Sequence, residues 1–237
     1  MIRVLCVILG YVFGLFQTGY IIGKCKEIDV RQYGSKNAGT TNVLRTLGLK
    51  YALIVFVGDA LKCIIAVVVC KLLLVNEYAD IIHLLQLYTC FGVILGHNFP
   101  IYMSFRGGKG IAATSGFIIS YCFQVDIGWQ LLILGLLTFF ITFFISHYVS
   151  LGSLLIYVFL MAEVIIIGER GYFDFPENIN RACLIEYYGI LFIMLCIAFI
   201  RHRENIKRLI AGNERKTYLF SKPEIDTRKE KFKDMEA

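Results

Sequence analysis

Long apolar stretches recur along this chain, at about 2–22, 51–75, 81–103, 111–125, 127–146, 151–168 and 184–200, with short polar segments between them. A spanning helix needs roughly 20 mostly apolar residues, and inside a bilayer only helices or closed barrels satisfy every backbone N–H and C=O. The pattern predicts an all-α, polytopic integral membrane protein with seven transmembrane helices. The fourth segment is the weakest, because Ala112-Ala113-Thr114-Ser115-Gly116 opens it with small and polar residues. Composition points the same way: 57% of the 237 residues are hydrophobic, whereas soluble domains run at about 45–50%. The first stretch carries no small-x-small cleavage site and runs straight into Lys24 and Lys26, so it reads as a retained anchor.

The cations set the orientation, since short loops rich in Lys and Arg stay cytoplasmic. Alternate loops, starting after the first stretch, collect Lys24, Lys26, Arg31, Lys36, Arg45 and Lys50, then Arg106 and Lys109, then the run from Arg201 to Lys233. The opposite side keeps Arg3, Lys71, Arg170 and Arg181, and Lys62 falls within a span. This predicts an N-terminus outside and a C-terminus in the cytoplasm.

The eight cysteines carry little information: Cys6, Cys63, Cys70, Cys90, Cys122 and Cys196 lie in apolar stretches without metal-ligand spacing and read as small buried hydrophobes. No internal repeat is visible. A net charge of +6 suits anionic lipid headgroups, and nucleic acid is not an expected partner because the cations flank spans and no recognition module is present. The chain divides into a membrane domain, 1–216, and a charged tail, 217–237, whose stretch from Ser221 to Ala237 reads as disordered or surface-lying.

Three polar clusters share the inner face. The first runs from Gly34 to Gly48 and mixes glycines, hydroxyls, amides and cations. Such a loop lets backbone N–H groups and cations approach a phosphate. The second is Gly96-His97-Asn98-Phe99-Pro100 with Gly107-Gly108-Lys109-Gly110. It is no Walker A loop, because Met103 and Gly110 stand where Gly and Ser/Thr are needed. The third runs from Arg201 to Leu209, and a shorter one spans Ser146–Ser153. Asp59 and Lys62, three apart in the second span, form either a structural helical pair or a functional one.

These residues carry a resemblance. Gly34-Ser35-x-Asn37-x-Gly39-x-Thr41-Asn42-Val43-Leu44-Arg45-x-Leu47-Gly48, then the two parts of the second cluster, then Arg201-His202-Arg203-Glu204-Asn205-Ile206-x-Arg208-Leu209-x-x-Gly212-x-Glu214, resemble the three signatures of PlsY-type acyl-phosphate:glycerol-3-phosphate acyltransferases, in order. The similarity covers roughly 5–216. Gly39-Thr40 stands where the family usually has Gly-Ala, and the charged extension after Arg215 is longer than the family pattern.

The resemblance implies a seven-helix enzyme of the bacterial cytoplasmic membrane with its active site facing the cytoplasm. Such an enzyme transfers an acyl group from acyl phosphate to the first hydroxyl of glycerol 3-phosphate, giving lysophosphatidic acid and phosphate, without a cofactor. By similarity, Ser35, Arg45 and Lys109 hold substrate phosphates, with Asn37, Gly39, Thr41, Asn42, His97, Gly107, Gly108 and Ser153 completing the binding surface. His202 and Asn205 hold glycerol 3-phosphate, and together with Ser35 and Lys109 make the catalytic group. The proton acceptor is either His202 or the donor's own phosphate. Membrane lipids are expected partners, as is coupling to the enzyme that forms acyl phosphate. The His-x4-Asp motif of other acyltransferases is absent, and no Asp/Glu/His cluster has metal-ligand spacing. A transporter or channel for organic phosphate anions is the alternative, as is a purely structural lipid-binding protein. Against transport stand the lack of an inverted repeat and the gathering of polar residues at one face.

Overall fold

A computed structural model describes residues 1–124, 128–173, 175–220 and 222–223. The charged tail Ser221–Ala237 therefore lies outside the described residues, apart from Lys222 and Pro223.

The described residues form α1 (Ile2–Gly14), α2 (Thr18–Cys25), α3 (Thr40–Leu47), α4 (Leu49–Tyr78), α5 (Ile82–Asn98), α6 (Ile111–Tyr121), α7 (Gly128–Ser146), α8 (Val149–Glu169), α9 (Asn180–Arg201) and α10 (Arg203–Ile210), with three short 3-10 turns between them. Among the described residues, five helical stretches are long and apolar enough to cross a membrane: Ile2–Cys25, Leu49–Met103, which holds both α4 and α5, and α7, α8 and α9. Helix α6 is apolar but only 11 residues long; it starts where its sequence segment starts and ends sooner, in a turn at 122–124.

Outward faces are apolar. On α7, Ile133, Leu136, Leu137, Ile141 and Phe144 are exposed, the arrangement expected of a helix against lipid. The interior centres on α5, where Leu84, Leu87 and Val93 meet Cys63, Ala66 and Val67 of α4, Phe117 of α6, Tyr157 and Leu160 of α8, and Tyr187, Leu191 and Met194 of α9.

Between lipid-embedded helices there is no hydrophobic drive, so association depends on close packing, which small residues allow. Helices α1 and α5 meet along Gly10 and Gly14 on one side and Gly92 and Gly96 on the other. A Cβ on Gly10 would fall 1.9 Å from the Thr89 carbonyl oxygen, and one on Gly96 2.3 Å from that of Tyr11. Backbone touches backbone, and no other residue fits.

The first apolar stretch is not one helix. It breaks at Leu15-Phe16-Gln17, because side chains from elsewhere satisfy the freed backbone groups. Lys62 Nζ donates to the Phe16 carbonyl at 2.7 Å, and the buried Gln17 Nε2 donates to the carbonyls of Gly14 (3.1 Å) and His97 (3.0 Å). Thr18 Oγ1 donates to Asp59 Oδ1 at 3.2 Å. Asp59 and Lys62 are a buried pair, 2.9 Å apart. The break ends α1, and α2 then leads the chain into the first polar loop.

Candidate active site

The first loop is built around Asn42. Its Oδ1 accepts from the Ser35 backbone N–H (2.7 Å) and hydroxyl (3.1 Å), while Nδ2 donates to the carbonyls of Val30 (2.8 Å) and Tyr33 (3.2 Å). Gly34 sits at φ +54, and a Cβ there would lie 2.4 Å from Asn42 Oδ1, so the turn requires glycine. Asn37 Oδ1 accepts from the Gly39 N–H at 2.8 Å, which shapes the entry to α3. Asn42 is engaged throughout by the loop itself, and its part is to hold Ser35 in place. Thr41 follows in the first turn of α3.

The second loop is pressed onto His97. The N–H of Gly108 donates to the His97 carbonyl at 3.0 Å and that of Gly107 to the Asn98 carbonyl at 3.2 Å. A Cβ on Gly108 would fall 1.9 Å from His97 Nε2, so the glycine is set by the ring beneath it. The outward carbonyls of Gly107 and Gly108 accept from Arg201 Nη2 at 2.8 and 2.9 Å. Lys109 follows, and its Nζ donates to Asn205 Oδ1.

The third cluster turns at His202, which ends α9 and caps α10. His202 Nδ1 lies 2.8 Å from the Ala198 carbonyl oxygen. A carbonyl only accepts, so Nδ1 carries the proton and Nε2 is left as the acceptor nitrogen. Burial, reinforced by the Lys109 ammonium, pushes this imidazole down to about 4, and it is neutral at pH 7. Burial likewise pushes Lys109 down to about 8, with Glu214 opposing and Arg208, Arg201 and Arg45 adding to the fall.

Glu214, quoted only as part of the third motif, organises the centre. Its Oε1 accepts from Asn205 Nδ2 (2.6 Å) and Ser150 Oγ (2.8 Å), and its Oε2 from Arg208 Nε (2.7 Å). Burial alone would push this carboxyl up; the hydrogen bonds from Asn205, Arg208 and Ser150 outweigh that and hold it below its ordinary value. The relay Ser150–Glu214–Asn205–Lys109 joins α8, the segment after α10, the first turn of α10 and the glycine loop. A carboxylate following a run of cations is the sequence signal for such a hub.

These elements enclose a cavity of about 470 Å³, lined by Gly34, Ser35, Lys36 and Asn37 from the first loop, Phe99 and Lys109 from the second, and Arg201, Arg203, Asn205, Arg208 and Arg215 among others from the third. Ser35, Asn37, Lys109 and Asn205 come together there as expected from the sequence. His202, which is buried, does not line it, and neither does Arg45. Its Nη2 donates to Thr217 Oγ1 (2.6 Å) and the Arg215 carbonyl (3.1 Å), and it borders an adjoining pocket of about 540 Å³ that meets the first at Gly34 and Arg215. Thr217 is buried and its N–H donates to the His147 carbonyl at 2.9 Å, so the packed part of the chain reaches past 216. Ser153 is buried in the first turns of α8, its hydroxyl donating to the Val149 carbonyl at 2.8 Å, and His97 lies beneath the loop, not on the cavity wall. Among the described residues, the Thr40 hydroxyl and the Asn98 amide are buried without hydrogen-bond partners. Unmet polar groups of this kind are costly, and neither residue lines the cavity.

The cavity is a cationic, hydroxyl- and amide-lined chamber at one end of an apolar helix bundle, suited to a phosphate on a lipid-soluble molecule. Comparison with known proteins accords with this. The family described as glycerol-3-phosphate acyltransferase matches residues 4–212. Glycerol-3-phosphate acyltransferase of Thermoanaerobacter pseudethanolicus is 38% identical over 218 residues, covering 91% of this chain and 96% of that one. Its counterpart from Mycoplasmopsis agalactiae is 35% identical over 226 residues, covering 88% and 91%. Crystal structures of PlsY (YgiH), an integral membrane glycerol 3-phosphate acyltransferase, superpose with a TM-score of 0.73 in the glycerol 3-phosphate form and 0.71 in the lysophosphatidic acid form. Both are 28% identical and cover 92% of this chain, and 99% and 96% of theirs. This chain belongs to the glycerol-3-phosphate acyltransferase family.

Proposed function

We propose that this acyltransferase moves a fatty acyl group from acyl phosphate to the first hydroxyl of glycerol 3-phosphate, releasing lysophosphatidic acid and phosphate. The observation that carries the reading is the convergence of Ser35, Lys109 and Asn205 with Lys36, Arg201, Arg203, Arg208 and Arg215 on one cavity. Cations and hydroxyls at fixed positions neutralise and align two phosphate-bearing substrates, which is catalysis by positioning and electrostatics. The glycerol oxygen attacks the acyl carbonyl carbon, the bond from that carbon to the phosphate oxygen breaks, and phosphate leaves with the electron pair. The proton of the hydroxyl goes to neutral His202 Nε2 or to the departing phosphate. Ser35 and Lys109 hold phosphate in the main cavity in this reading, Arg45 does so from the adjoining pocket, and His202 and Asn205 hold glycerol 3-phosphate.

The bundle crosses the bacterial cytoplasmic membrane seven times, through Ile2–Cys25 and α4 to α9, with the N-terminus outside and the cavity and C-terminus in the cytoplasm. The concentration of Lys and Arg around the cavity supports this orientation. An acyl phosphate made by a partner enzyme reaches the site with its tail among the helices. The test is an initial-rate comparison of acyl phosphate, acyl-CoA and acyl carrier protein with matched chains, using labelled glycerol 3-phosphate and purified protein. Turnover is expected with acyl phosphate alone; comparable rates with either thioester refute the donor assignment.

A further inference from the structure

The buried pair Asp59–Lys62 lies below the glycine loop and touches no cavity wall, yet it reaches the loop through a single ring. Lys62 Nζ has three close partners: the Phe16 carbonyl at 2.7 Å, His97 Nδ1 at 2.8 Å and Asp59 Oδ1 at 2.9 Å. An ammonium has three N–H groups and no lone pair, and this geometry uses all three. The carboxylate at 2.9 Å compensates its charge, without which burial of Lys62 at 4% side-chain exposure would be prohibitive. His97 Nδ1 therefore accepts, and the ring's single proton is on Nε2, the nitrogen packed against Gly108.

The consequence for the loop is direct. His97 is the floor on which Gly107 and Gly108 rest, Arg201 grips the same two residues from above, and Lys109 is next in the chain. Rotation of the ring would push Gly108 outward, since the ring and the glycine are already at contact distance. We propose that Lys62, with Asp59 as its counterion, is a positioning residue for substrate binding: it locks the His97 ring in one tautomer and orientation, and thereby fixes the loop that presents Lys109 to phosphate. This deepens the functional reading above and rests on Lys109 holding a substrate phosphate. It also gives the intramembrane charges a role beyond joining helices, since a purely structural pair has no need to contact His97.

The test has two arms. In wild-type protein, long-range ¹H–¹⁵N spectra of the imidazole nitrogens report the tautomer of each of the four histidines, assigned by single substitution of His83, His147 and His202. His97 is expected as the Nε2–H form; finding Nδ1–H overturns the proposal without reference to any activity. In the second arm, Lys62→Met alone would strand the Asp59 charge and unfold the protein, so both charges are removed together. Asp59→Asn/Lys62→Met should melt like wild type, lose at least tenfold in kcat/KM, mostly as a rise in KM for the phosphate substrate, and show His97 in mixed tautomers. Asp59→Asn/Lys62→Gln restores an N–H donor and should recover most of that loss. Wild-type kcat/KM in the Met double variant, or equal losses in the Met and Gln variants, sinks the idea. If neither double variant folds, the wild-type tautomer decides. An error in the donor assignment would show instead as failure of the wild-type enzyme to turn over acyl phosphate.

Discussion

Lys109 should give this enzyme an alkaline limit of its own. The ammonium is nearly enclosed, and its pKa falls from 10.5 to about 8, which at 1.36 kcal/mol per unit is roughly 3 kcal/mol of preference for the neutral amine. Burial is the main cause; Glu214 resists it and the guanidiniums of Arg208, Arg201 and Arg45 assist. Only the protonated form makes a charge-assisted contact with phosphate. In the free enzyme kcat/KM should therefore bend downward near pH 8 and fall about tenfold for each further unit. Bound phosphate favours the ammonium, so the bend in kcat should lie at higher pH than the bend in kcat/KM. The His202 ring, at about 4, and the second ionisation of a phosphate monoester, at about 6, both lie too low to produce this limb. Lys109→Arg keeps a charge that does not titrate in the accessible range; its kcat/KM should be lower throughout, because the fork does not fit the Asn205 contact, but flat to pH 10. The assay is initial-rate release of phosphate between pH 7 and 10, with blanks for spontaneous donor breakdown. A wild-type profile flat to pH 9.5, or an identical limb in Lys109→Arg, refutes the assignment.

Glu214→Ala should cost about 3–6 kcal/mol, taking the two buried charge-assisted bonds from Asn205 and Ser150 at about 1.5–3 each and counting nothing for the partly exposed Arg208; melting in one detergent and kcat/KM check it. Because the folded pKa of Glu214 is held below 4.5, its stabilisation is fully present above about pH 4.5 and is lost as pH falls below that, so Glu214→Gln should flatten the acid side of a stability-against-pH curve. Gly14→Ala puts a Cβ 2.3 Å from the Val93 carbonyl oxygen and should cost about 3 kcal/mol or more, read as a lowered melting temperature. For the topology, a cysteine at Lys36 should be shielded from an impermeant thiol reagent in intact cells and one at Glu177 labelled, in a background where native cysteines are silent; the reverse pattern inverts the orientation.

The long apolar stretches made the helices legible, and α7, α8 and α9 lie close to their expected positions because an uninterrupted apolar run has few alternatives in lipid. The glycine- and amide-rich loops likewise announced a polar cavity. What the chain did not announce depends on partners distant in sequence. The break at Phe16 looks like continuous helix until Lys62 and Gln17 are placed beside it. The four-residue spacing of Gly10 with Gly14, and of Gly92 with Gly96, was visible, but only their meeting shows it as a helix interface. Arg45 has the chemistry of a phosphate ligand, yet its orientation is set by Thr217 and the Arg215 backbone, which lie beyond the three motifs' shared stretch of cations. Asn42 has the chemistry of a ligand too, and the loop claims all of it.

The tether between Arg45 and Thr217 has a consequence in time. A ribosome delivers this chain from the N-terminus, and the first loop emerges long before residue 217. Until then Arg45 lacks both of the acceptors that orient it, and Lys109 lacks Asn205. The hydrophobic bundle can therefore be largely assembled while the chemistry is still switched off. In the functional reading proposed above, synthesis as far as Thr217, and not insertion of the helices, completes the site, so a chain cut before residue 205 that still enters the membrane would lack Asn205, Arg208 and Arg215 of the cavity wall.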